Sequence, residues 1–167
     1  LLNQRRSSKI GRKTQISQKS TIKGTVVIED GAIIEPNVVI KGPTYIGKNT
    51  YIGVGSFIRN YATIEEEVTI GSYSEVSRSI IQPRTSIGRL SFIGDSVIGF
   101  ESIIEPNITI MNLLPQNQSF TRLKKTITFR KKIRTKLGAI IGNKCRVKAY
   151  KIIPPGTIIN NKREEHV

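Results

Sequence analysis

The chain has 167 residues, enough for one domain with a continuous core, and its lack of tryptophan with 6% aromatics points to a thin interior filled by isoleucine and valine. No apolar stretch reaches membrane-spanning length and no signal-peptide pattern is present, which predicts a soluble chain without a membrane partner. The formal net charge is +15, and the single cysteine, Cys145, makes no intrachain disulfide, so a reducing, cytoplasmic setting is expected.

Residues 1–9 form a basic lead-in, and residues 1–20 carry six basic side chains and no acid. From Ile10 an aliphatic residue recurs every sixth position: Ile10, Ile16, Ile22, Ile28, Ile34, Ile40 and onward to Ile70 and Val76. The phase slips by one residue and resumes at Ile81, Ile87 and Ile93, then slips again and resumes at Ile98, Ile104 and Ile110. Four residues after most of these comes a small or β-branched residue, as in Val26, Ala32, Thr50, Ser56 and Ser74, with turn formers clustered between. A hexapeptide period is the mark of a parallel β-helix. Each hexad is one strand and one turn, three hexads close a triangular coil, and strands of successive coils pair in parallel. Six coils over residues 10–112 span roughly 28 Å at about 4.7–4.9 Å each.

This part of the chain is slightly acidic: residues 21–112 hold seven basic and ten acidic side chains. Residues 113–136, "LLPQNQSFTRLKKTITFRKKIRTK", lose the hexad phase and carry eight basic residues and no acid. A long excursion from a compact rod is a functional candidate. Lys124, Lys125, Arg130, Lys131 and Lys132 suit the phosphates of coenzyme A or of a sugar phosphate; a solvated charged loop is the alternative. Phe120 and Phe129 are too scattered for base stacking, and nucleic acid is not the expected partner. The phase returns over residues 137–160, through Ile141, Val147, Ile153 and Ile159, and residues 161–167 are a tail. Cys145 falls at the small inward position of the hexad that begins at Ile141 and reads as a packing residue. The chain starts at Leu1 and its only methionine is Met111, so it is expected to be a piece of a longer protein.

The stretches "GSYSEVSRSIIQPRTSIGRLSFIGDSVIG" (71–99) and "KLGAIIGNKCRV" (136–147) resemble the bifunctional sugar-1-phosphate nucleotidyltransferases, which include the bacterial N-acetylglucosamine-1-phosphate uridylyltransferase/glucosamine-1-phosphate acetyltransferase. The resemblance covers roughly residues 20 to 160. It implies a left-handed coil, acetyl-CoA as cosubstrate, an amino-sugar phosphate as acceptor, a homotrimer and an N-terminal nucleotidyltransferase domain in the same protein. It also implies site residues. The arginine that binds the sugar phosphate falls at Arg59, and the lysine one coil later falls at Ser77, with Arg78 beside it as a substitute. The catalytic histidine falls at Arg89, the tyrosine after it at Phe92, and an asparagine at Asn112. A glycine-alanine-glycine run is replaced by Glu105–Asn107.

The departure at Arg89 bears on the chemistry. Acetyl transfer to an amine needs a base with a pKa near working pH, and arginine stays protonated. The only histidine, His166, is in the tail, and one histidine cannot make a three-histidine zinc site, so no metal is expected. Glu75 or Glu105 can replace the base only if burial raises its pKa. Two functions stay open: an acetyl-transferring domain, or a scaffold that trimerises a nucleotidyltransferase. Val39, Tyr45, Tyr51 and Phe57, one hexad apart, are expected to form an outward apolar column for trimer contacts.

Overall fold

The computed structural model describes residues 8–113 and 136–160. Over these the chain is a left-handed parallel β-helix of strands two or three residues long, stacked in three sheets of eight, seven and seven strands. All pairing is parallel, between strands three apart in sequence order. The first sheet aligns Ile10, Ile28, Ile46, Ile64, Ile81, Ile98, Ile141 and Ile159. The return after residue 136 restores the same register, because Ile141 pairs with Ile98.

The hexad explains the interior. Every repeating aliphatic from Ile28 to Ile110 is essentially fully buried. The fifth position also points in, as Val26, Ala32, Val38, Ala62 and Val68 show. Where that residue is polar, its hydroxyl is used. Thr50 Oγ1 donates to the Glu65 carbonyl at 2.7 Å, Ser56 Oγ to Gly71 at 3.0 Å and Ser74 Oγ to Gly88 at 3.0 Å. These three hydroxyls thus tie one corner to the next coil and are themselves satisfied. Cys145 is buried at the expected packing position, and burial pushes its thiol pKa up.

Close stacking at the corners constrains glycine. A Cβ on Gly88 would lie 2.4 Å from Pro106 N and 2.6 Å from Glu105 C, both backbone of the next coil. Gly88→Ala must therefore prise two coils apart, and is expected to cost about 1–3 kcal/mol; a urea unfolding curve reads this as a lowered midpoint. Left-handed residues turn the other corner positions, among them Asn49, Glu67, Arg84, Glu101 and Lys144 between the first and second sheets. There Arg84 pairs with Glu101 at 2.8 Å and Lys144 with Glu101 at 3.5 Å, an alternating ladder along the corner.

The expected apolar column is corrected. Val39 and Phe57 stand in register on the third sheet, Tyr45 is on the first and Tyr51 on the second. One hexad moves the chain to the next face of the triangle, so a column on one face needs three hexads. An apolar stripe lies instead on the first sheet: Val27, Tyr45, Ile80, Val97, Ile140 and Ile158, with Thr63 between Tyr45 and Ile80.

Candidate functional site

Every irregularity of the hexad falls at one corner, between the third and first sheets. Both one-residue slips, after Val76 and after Ile93, lie there, and the chain leaves and rejoins the coil there between the Thr109–Ile110 and Ile140–Ile141 strands. The slips shorten the turn. Asn60 and Tyr61 both take left-handed conformations in the full-length corner just before the slips, whereas Arg78 and Asp95 each do so alone in the two short ones. Stacked one above the other, these two residues meet.

Arg78 Nε donates to Asp95 Oδ1 at 2.6 Å and Arg78 Nη2 to Asp95 Oδ2 at 2.9 Å, a bidentate pair. Asn112 Nδ2 donates to the same Oδ2 at 2.6 Å. The backbone joins in: Gly138 N donates to the Asp95 carbonyl at 2.9 Å and Leu137 N to the Asn112 carbonyl at 3.1 Å. Asp95 therefore closes the neck from which the basic excursion departs. Burial alone would raise its pKa, but the hydrogen bonds from Arg78 and Asn112, with the nearby Arg78 and Lys136 charges, outweigh it and hold the carboxyl below its ordinary value. A depressed folded pKa stabilises above the unfolded carboxylate value of about 3.9 and is lost as pH falls through the folded one. Asp95→Asn is expected to be about 1–2 kcal/mol less stable at neutral pH. Its deficit against the unmodified chain should shrink as pH drops below about 4, read from unfolding midpoints across pH.

On the adjoining outer face of the third sheet, Arg59 ends one strand (Phe57–Arg59) and Glu75 opens the next (Glu75–Ser77). Their side chains pair, Arg59 Nη2 to Glu75 Oε1 at 2.6 Å. Phe92 stands in register above Glu75. The Phe92 ring and the Asn112 amide crowd the space a Cβ on Gly94 would take, each 2.8 Å from it. The structure so gathers Arg59, Glu75, Phe92, Arg78 and Asn112 on one sheet and its edge. Between Arg59 and Gly94 in the same register lies Ser77, 1% exposed, whose Oγ is the one buried side-chain polar atom without a partner among the described residues.

Arg89 and Glu105 are elsewhere. They occupy the corner between the second and third sheets, in the turns before the Phe92–Gly94 and Thr109–Ile110 strands. Arg89 is exposed. Glu105 accepts from Ala149 N at 3.0 Å and pairs with Arg146 at 2.7 Å. The backbone donor first, and the guanidinium second, hold its pKa below the ordinary glutamate value. Glu105 thus fails the condition for acting as a base, because its pKa is shifted the opposite way, and the Glu75 carboxylate is occupied by its ion pair with Arg59. Lys124, Lys125, Arg130, Lys131 and Lys132 lie outside the described residues. Among the described residues no group of histidine, cysteine, aspartate or glutamate is arranged to hold a metal, and no helix is long and apolar enough to cross a membrane.

Residues 40–165 match the family model described as the GMPPB C-terminal domain, and residues 7–42 match the bacterial transferase hexapeptide (six repeats). The chain belongs to the GMPPB C-terminal domain family. Over 105 residues this GMPPB-type domain is 34% identical to the bifunctional protein GlmU of Methanococcus vannielii, a match over 62% of the chain and 25% of that relative. A second GlmU, from Methanocaldococcus jannaschii, is 48% identical over 42 residues, 25% of the chain and 10% of that protein. The matches thus span a quarter or less of these relatives. The fold is also that of a hexapeptide transferase family protein from Anaplasma phagocytophilum, at TM-score 0.51 and 12% identity over 93% of this chain and 80% of that one. Asp95 was not among the residues singled out by spacing. The signal that finds it is the pair of phase slips at one corner, which eighteen-residue arithmetic exposes.

Proposed function

We propose that this domain is an oligomerising module of a sugar-1-phosphate nucleotidyltransferase of the cytoplasm, and that it does not itself transfer acetyl groups. One observation carries the second half of the reading: each carboxylate of the candidate site is paired with a guanidinium. Glu75 is paired with Arg59, Asp95 with Arg78 and Glu105 with Arg146. The residue at the family's histidine position, Arg89, is an arginine, which cannot accept a proton. A group that takes a proton from an attacking amine must be free to receive it. No carboxylate of this set is.

The first half is supported by the apolar stripe. Tyr45, Ile80, Ile140 and Ile158 are 37%, 41%, 49% and 64% exposed along one flat face. A monomer seldom leaves such a stripe in water, and three copies packed about an axis would cover it. The GlmU relatives are called bifunctional and are several times longer than the matched segment, which leaves room for a nucleotidyltransferase domain ahead of the coil. Under the acetyl-transferring reading the same corner would instead receive acetyl-CoA and an amino-sugar phosphate. A thiol-release assay separates the two: release from acetyl-CoA at the buffer rate supports the module reading, and sustained turnover rejects it.

A further inference from the structure

The outer face of the third sheet carries a second feature, a row of cations that ends at Arg59. The last residues of three successive strands are Lys23, Lys41 and Arg59, aligned in register. At strand spacing of about 4.8 Å the three cations run in line for roughly 10 Å. Lys23 and Lys41 are exposed and make no ion pair among the described residues; only Arg59 is partly neutralised, by Glu75. Like charges stacked this closely repel one another unless an anion joins them.

The surroundings shape the line into a shelf. On one side stand the half-buried Val39 and Phe57. Lys41 Nζ and Arg59 Cζ lie 5.2 and 5.3 Å from the centre of the Phe57 ring, so the ring holds both cations in place. On the other side a glycine follows each lysine, Gly24 and Gly42, and a Cβ on Gly42 would lie 2.1 Å from the Thr25 carbonyl oxygen, so no side chain fits at that position beside Lys41. At the end of the line, next to Arg59 in the same register, the Ser77 hydroxyl is buried and has no hydrogen-bond partner.

We propose that this ladder binds the phosphoanhydride of a nucleotide, with the phosphates along Lys23, Lys41 and Arg59 and the base or sugar on the Val39–Phe57 shelf. A single phosphate would meet one or two of the cations. A chain of phosphates meets all three, and the guanidinium fork with two ammonium points suits oxygens on successive phosphorus atoms. The apolar strip beside the cations fits a ligand that is anionic at one end and flat and apolar at the other. Nucleoside diphosphates and coenzyme A both present this chemistry.

The test is calorimetric titration of the whole chain with guanosine and adenosine diphosphates, adenosine monophosphate, coenzyme A and inorganic pyrophosphate. The probes are repeated on Lys23→Ala/Lys41→Ala, and on Lys48→Ala as a control for diffuse charge. The ladder predicts nucleoside diphosphate binding that weakens at least tenfold in the double variant, hardly changes in Lys48→Ala and exceeds that of the monophosphate. Coenzyme A binding with the same lysine dependence, but no diphosphate binding, keeps the ladder and assigns its ligand to coenzyme A. Pyrophosphate binding as tight as the nucleotides overturns the role of the Phe57 shelf. Equal affinity in the double variant, or no binding by any probe, overturns the site. Both lysines are exposed and lie on the third sheet, outside the apolar stripe of the first sheet, so sedimentation of the double variant should match the unmodified chain, which keeps failure of this site apart from failure of the oligomerising role.

Discussion

Incubated with acetyl-CoA and glucosamine 1-phosphate, the chain is expected to release thiol no faster than buffer. Loss of a general base costs about 10²–10⁴-fold in rate, and the ion pairs leave no replacement. Arginine, the residue at position 89, cannot serve as a base. The Ala149 amide and the Arg146 guanidinium lower the Glu105 pKa, so it is anionic but a poor proton acceptor near neutrality. Asp95 is held down by the hydrogen bonds of Arg78 and Asn112. Glu75→Gln and Glu105→Gln should accordingly leave the background unchanged. Turnover that disappears in one of these two variants would make that carboxylate the base.

The second large effect concerns the rod itself. Ile52→Ala removes a fully buried side chain from the middle of the second sheet, between Ile34 and Ile70 in register. The coil above and the coil below are fixed by backbone pairing and cannot collapse into the space, so a loss of about 2–5 kcal/mol is expected. That is a large share of a domain's net stability of about 5–15 kcal/mol. Ile16→Ala, in the same column but only half-buried at the first coil, should cost clearly less. Urea unfolding of both variants checks the gradient; equal losses would mean that coils do not depend mainly on their neighbours.

The hexad made the interior legible, because one physical demand, an aliphatic at each inward position, is repeated without interruption from Ile10 to Val76. The outward faces were harder to read. Tyr45 and Tyr51 look like neighbours at a spacing of six, yet each hexad turns onto a new face, and only the eighteen-residue coil brings side chains together. The site shows the same divide. Arg59, Arg78 and Asn112 were reached through resemblance, but their partners Glu75 and Asp95 follow from stacking of coils and from two missing residues at one corner. No linear motif encodes Asp95 beneath the neck of the excursion, since Gly138 and Asn112 reach it from opposite ends of a long insertion. The lysine ladder was equally hidden, because Lys23, Lys41 and Arg59 are eighteen residues apart in the sequence and about one strand spacing apart in the fold.

The oligomerising role rests on the stripe of Val27, Tyr45, Ile80, Val97, Ile140 and Ile158 on the first sheet. Sedimentation velocity of the purified chain at micromolar concentration tests it most directly. A particle of three chain masses, reduced to one by Ile80→Glu with Ile140→Glu, is the predicted result. A monomeric unmodified chain at that concentration would contradict it.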